Sequence, residues 1–196
     1  MKKILISLTI LSSLSSAFTF DLWSSKITLN EAIKIAKTEN IVLHKDGIVT
    51  TGKKFREVYL YLDRYPNNRV FRYHTKLLNE QATVYLYFTK KEKKLYNLKV
   101  RWGQKSKSFR SSLYNLLDKK YGQEEVLLPN NFGEFLFSKK RQWKEDKNNI
   151  IQVKSGLATI ELLYVDIEET KKDKEFKEKV KIEKKEKALL KDANKF

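Results

Sequence analysis

The chain has 196 residues, with 41 Lys plus Arg against 24 Asp plus Glu, 2 His and no Cys, for a formal net charge of +17. An apolar fraction of 41% and an aromatic fraction of 12% supply one hydrophobic core, which excludes a wholly disordered chain. The absence of Cys excludes disulfides, thiolate nucleophiles, Cys-ligated zinc and iron–sulfur clusters, and two His leave little for a His-based metal centre, so no cofactor and no metal are expected.

Met1-Lys2-Lys3, an apolar run from Ile4 to about Leu14, and Ser15-Ser16-Ala17 form a positive, apolar and small-residue series. That is the pattern of a secretory signal peptide, and cleavage is expected after Ala17. The run is short of the roughly 20 apolar residues that span a bilayer, so the mature chain is expected to be periplasmic or secreted and not transmembrane. Removing Lys2 and Lys3 takes the charge from +17 to +15. The segment 167–196 holds 11 Lys and 8 acids, a net of +3, so the body 18–166 carries the remaining +12.

Thr28-Leu29-Asn30-Glu31 is a capping box, and Leu29, Ala32, Ile33 and Ala36 follow at helical spacing, which predicts a helix over 29–39 stopped at Asn40. Beyond Ile41 the period becomes two. Strands are predicted over Phe55–Asp63, Arg69–Lys76, Thr83–Phe88 and Lys94–Trp102. Their separators are Tyr65-Pro66-Asn67-Asn68, Leu78-Asn79-Glu80-Gln81 and the polar tip 90–93. In the last strand Tyr96, Leu98, Val100 and Trp102 share one face, and Leu95, Asn97, Lys99 and Arg101 the other. A second helix is expected, capped by Ser106 or Ser108. It places Phe109, Leu113, Leu116, Leu117 and Tyr121 on one side and closes at Gly122. Phe132–Phe137, Arg141–Lys144, Ile150–Val153 and Leu157–Asp166 read as strands, with a hairpin turn over Asp146–Asn149. After Asp166 the composition shifts to Lys and Glu. Pairs such as Glu168/Lys172 and Asp173/Lys177 at i,i+4 spacing predict a long solvated helix.

Few residue constellations carry chemistry. Gly47–Lys54 nearly matches a phosphate loop, but Lys54 stands where a hydroxyl must ligate magnesium, and a strand rather than a helix follows. His44 and His74 occur in no metal-binding spacing and read as surface histidines among cations. There is no G-x-S-x-G elbow. Glu57, Asp63, Glu124, Glu125, Glu134 and Glu161 are available as acids, but no pair is marked as catalytic. The chain is therefore not expected to be an enzyme. The weightiest feature is a mixture of cations and aromatics. Arg72, Lys76, Lys99 and Arg101 fall on exposed strand faces by alternation, and Lys139, Lys140, Arg141 and Lys144 surround Trp143.

The run Lys94–Gly122 resembles small secreted or periplasmic α+β modules in general form: a strand ending in an aromatic, a polar break, and a helix closing on Lys-Tyr-Gly. No activity is implied by so general a likeness. The expected fold is α+β, a twisted antiparallel sheet packed by one main helix, with an N-terminal helix and a long charged C-terminal helix. The expected function is a non-enzymatic binding or accessory protein. Its anion-binding face would comprise Arg72, Lys76, Lys99, Arg101, Lys139, Lys140, Arg141 and Trp143. The expected partner is an anionic envelope component (a lipid head group, lipopolysaccharide or a cell-wall polymer) or an envelope protein, with nucleic acid disfavoured by export. The alternatives are a structural adaptor docking through its sheet edge or tail and, behind it, a hydrolase with unmarked carboxylates.

Overall fold

A computed structural model describes residues 19–45, 69–127, 139–156 and 158–193. The leader, the near-phosphate loop, the strands predicted over Phe55–Asp63 and Phe132–Phe137, and Glu57, Asp63 and Glu134 lie outside them. The fold is α+β, as the alternation of periods predicts.

A two-stranded hairpin, β1 (Thr19–Phe20) and β2 (Trp23–Ser24), precedes helix α1 (Leu29–Thr38) and a short β3 (His44–Lys45). The long strands β4 (Val70–Leu77), β5 (Glu80–Phe88) and β6 (Leu95–Trp102) follow, then α2 (Lys107–Tyr121). The chain continues through β7 (Glu125–Leu127), β8 (Lys139–Lys144), β9 (Asn149–Ser155), β10 (Ile160–Asp166) and α3 (Ile167–Ala193). One eight-stranded sheet has the order β3-β4-β5-β6-β10-β9-β8-β7, every neighbouring pair antiparallel.

Local sequence accounts for most of these boundaries. Thr28 and Glu31 form the reciprocal cap of α1, and Ser106 Oγ accepts the Phe109 N–H at the start of α2. Gly122 ends α2 at φ +83°, a region that costs a side chain but not glycine. The β4–β5 turn is tighter than the sequence predicts. Leu78 and Asn79 alone make it, both at positive φ, so Glu80 and Gln81 belong to the strand. That is the geometry in which a two-residue turn matches strand twist.

The register sorts residues onto two faces. Phe71 pairs with Leu86 and Leu86 with Leu98, while Val84 pairs with Val100 and Val100 with Leu162. These residues, with Tyr73, Trp102, Ile151, Val153, Ile160 and Tyr164, form one buried cluster. The N-terminal segment covers one half of this inner face. The Trp23 ring lies tilted 5.9 Å from that of Tyr73 and donates its indole N–H to the Tyr73 hydroxyl over 2.8 Å, and Phe20 lies 5.2 Å from Tyr164. Helix α2 serves the other half. Phe109 meets Trp102 edge-on, Tyr114 stacks on Trp143, and Leu113 and Leu117 are buried. Leu116, expected on the sheet, is 47% exposed, because two positions four apart already fill the contact stripe. Burial of such apolar surface, at about 25 cal/mol/Å², is the main stabilising term.

Leu95 also departs from simple alternation. It is fully buried although its parity matches Lys99. The cause is a register shift: Tyr87 pairs with Asn97 but Phe88 pairs with Leu95, which leaves Tyr96 bulged out of the ladder.

Helix α3 is not solvated from its start. Asp166 Oδ1 caps it by accepting the Glu169 N–H, and Glu169 and Asp173 are buried at the sheet end. Asp173 accepts the Lys90 amide over 2.6 Å and pairs with Lys177 at 2.5 Å. From Lys181 to Lys191 every residue is exposed, so the second half projects as an arm. No described helix is long and apolar enough to cross a membrane.

Candidate anion-binding face

Helices α1 and α2 pack on the inner face of the sheet, and α3 packs against β6 and β10. The outer face is read from the same register. One row runs His74, Thr83, Arg101, Glu161, Lys154 and Lys140 across six strands. The next runs His44, Arg72, Tyr85, Lys99, Leu163, Gln152, Gln142 and Glu125. With Lys76 and Lys144, this face carries Arg72, Lys76, Lys99, Arg101, Lys140, Lys144 and Lys154 as cations. Its acids among the described residues are Glu161 and Glu125.

The charges are partly committed to one another. Glu161 lies 3.5 Å from the Lys99 ammonium and 3.8 Å from the Arg101 guanidinium, and Glu125 lies 3.3 Å from Lys144. Lys99 also sits 4.6 Å from the Tyr85 ring centroid and 5.9 Å from that of Tyr87. Burial pulls the Lys99 ammonium down, but the hydrogen bond to Tyr87 and the electrostatic effect of Tyr87, Glu161 and Tyr85 outweigh it, leaving its pKa raised. Lys99 is therefore held protonated through physiological pH. A cation clamped between two aromatic rings is an oriented donor rather than a freely swinging one.

The sequence-predicted site residues divide between the faces. Arg72, Lys76, Lys99, Arg101 and Lys140 are on the outer face, with Lys76 and Arg101 exposed and the other three half-buried. Arg141 and Trp143 are on the inner face. Trp143 is 1% exposed and donates its indole N–H to Asp118 over 2.8 Å. Arg141 makes a two-bond fork to Glu124 at 2.6 and 2.7 Å, with its guanidinium 4.1 Å from the Tyr114 centroid. Lys139 occupies the register position opposite Ser155. The cause is the two-residue period itself: within one strand, consecutive cations cannot share a face. Lys154 and Lys144, which the alternation of β8 and β9 places beside Lys140, join the outer set instead.

The two histidines come together, which their positions in sequence do not reveal. His44 stands opposite Arg72, and the His44 and His74 ring centroids are 6.5 Å apart. His74 Nδ1 is 3.1 Å from Thr83 Oγ1. Both line a cleft of about 320 Å³ with Asp21, Asn40, Ile41, Val42, Tyr73 and Thr75. Burial pushes the Tyr73 hydroxyl up to about 12, so it is a neutral donor there. Among the described residues no three His, Asp or Glu side chains are arranged to hold a metal ion. Of the acids considered for hydrolysis, Glu124, Glu125 and Glu161 are each within ion-pair distance of a cation. The chain matches no family model, and no curated protein or solved structure is detectably similar to it.

Proposed function

We propose that this chain is an exported, non-enzymatic binding protein that holds a phosphate- or carboxylate-bearing envelope component on the outer face of its sheet. The single observation that carries the reading is the charge of that face. Among the described residues seven cations stand against two acids on a surface that neither α1 nor α2 covers, and Lys99 is braced by Tyr85 and Tyr87. Such a surface attracts polyanions, and its attraction weakens with salt. Export rests on the Met1–Ala17 pattern.

Co-sedimentation of the mature chain with anionic and with zwitterionic vesicles, at low and high salt, tests it. The reading expects binding to the anionic set alone, abolished by high salt. Equal binding to both sets, or none to either and none to an anionic cell-wall polymer, overturns it. A second reading, an adaptor that docks a protein through the C-terminal arm, is favoured by the exposed Ile182, Leu189 and Leu190 on α3. It expects loss of function on deleting 181–196 with vesicle binding unchanged.

A further inference from the structure

Lys140 on β8 and Lys154 on β9 are register partners on the outer face of the sheet. We propose that these two lysines are the seat for one phosphodiester head group of an anionic lipid surface; this rests on the reading of the outer face given above.

Pairing geometry comes first. Directly opposed residues carry their side chains on one face with Cβ atoms about 4.5–5.5 Å apart, and like charges so placed repel. The neighbouring acids do not relieve this pair. Glu161, the register partner of Lys154 on β10, has its carboxylate 3.5 Å from Lys99 and 3.8 Å from Arg101. Glu125, opposite Gln142 on β7, lies 3.3 Å from Lys144. Among the described residues no carboxylate stands within ion-pair distance of Lys140 or Lys154. One oxyanion between the two ammoniums removes their repulsion and adds charge-assisted bonds of about 2.7–2.9 Å.

The surroundings add donors. At the next register position on the same face, Gln152 donates its side-chain N–H to Gln142 Oε1 over 2.8 Å. That bond occupies the Gln142 oxygen and leaves the Gln142 amide N–H groups as donors on the face the lysines share. Lys140 and Lys154 are half-buried, so their stems lie along the sheet while the ammoniums reach solvent.

Two features select the ligand. A lysine ammonium acts as a point charge, which suits phosphate, whereas the planar fork that grips a carboxylate by two parallel bonds is arginine's. The outer-face cations also run from Lys76 on β4 to Lys140 on β8, five strand spacings or about 24 Å. An array of that width matches a surface presenting many head groups rather than one small anion.

The test uses phosphatidylcholine vesicles with and without phosphatidylglycerol, at one low ionic strength, and variants matched in charge. Lys140→Gln/Lys154→Gln is expected to weaken binding to the phosphatidylglycerol vesicles by about tenfold or more. Lys76→Gln/Lys144→Gln removes the same charge elsewhere on the same face and is expected to cost about threefold or less. Circular dichroism checks folding; if the first variant does not fold, Lys154→Gln against Lys76→Gln makes the same comparison. Lys140→Gln alone is also expected to raise the melting temperature at low salt by roughly 1–4 °C, because it removes one of the opposed charges. Equal losses in the two double variants, or a melting temperature that does not rise, overturn the seat while leaving the cationic face standing. A wild-type chain that binds neither kind of vesicle overturns the face and the seat together. Displacement by inorganic phosphate beyond that by chloride at equal ionic strength assigns the seat to free phosphate and overturns the head group.

Discussion

Trp143 donates its indole N–H to Asp118 Oδ1 over 2.8 Å, and that bond fixes the aromatic of the cationic β8 segment inside the core, against Tyr114 of α2. Asp118→Ala leaves a buried donor without its acceptor and is expected to cost about 1–3 kcal/mol. Asp118→Asn keeps an oxygen at the same place and is expected to cost less. Urea unfolding followed by tryptophan fluorescence measures both. Equal losses in the two variants would contradict a role for the bond.

The N-terminal hairpin is fastened to the sheet by a second indole. Trp23, 1% exposed, bonds to the Tyr73 hydroxyl. Tyr73→Phe keeps the ring contact and removes only the acceptor, so a loss of about 1–3 kcal/mol is expected. Hydrogen exchange is expected to accelerate in 19–38 while β9 and β10 stay protected.

The cap of α1 predicts an acid-sensitive contribution. The Thr28 backbone and side chain hold the Glu31 carboxyl below its ordinary value. A carboxylate depressed on folding contributes stability above its unfolded pKa, about 4.3, and loses that contribution as pH falls through its folded pKa. Thr28→Ala is expected to destabilise by about 1 kcal/mol at pH 7 and to cost progressively less below about pH 4, as Glu31 protonates in wild type too. Denaturation curves at pH 7 and pH 3 compare the two.

Asp173 anchors α3, and its hydrogen bond raises the Lys177 pKa against the opposing effect of burial. A lysine raised on folding contributes stability that is complete below its unfolded pKa, about 10.4, and is lost as pH rises through the folded value. Asp173→Ala is therefore expected to flatten the alkaline limb of the stability profile. It is also expected to raise hydrogen exchange over 167–180 by freeing the Lys90 amide from its acceptor.

Local patterns in the sequence account for α1, α2 and the alternation of β4, β5, β6 and β10. In each, a cap, a glycine or a two-residue period acts within a few positions. Three features were not legible because they depend on pairing between distant segments. Trp143 reads as a surface aromatic among lysines until the register with Ile151 turns it inward. Leu95 reads as outward until the bulge at Tyr96 shifts it. His44 and His74 are thirty positions apart and meet only because β3 pairs with β4. The tail's composition masks the burial of Glu169 and Asp173, since ionic side chains are expected in solvent unless partnered.

The central claim is that the place of the charge matters, beyond its amount. Two variants of equal net charge separate these. Arg101→Gln/Lys140→Gln/Lys154→Gln removes three cations from the outer face, and Lys181→Gln/Lys184→Gln/Lys185→Gln removes three from the exposed arm of α3. With folding checked by circular dichroism, affinity for anionic vesicles is measured at one ionic strength. The account predicts a loss of tenfold or more for the face variant and near wild-type binding for the arm variant. Equal losses in the two would contradict it and leave only a generally basic protein.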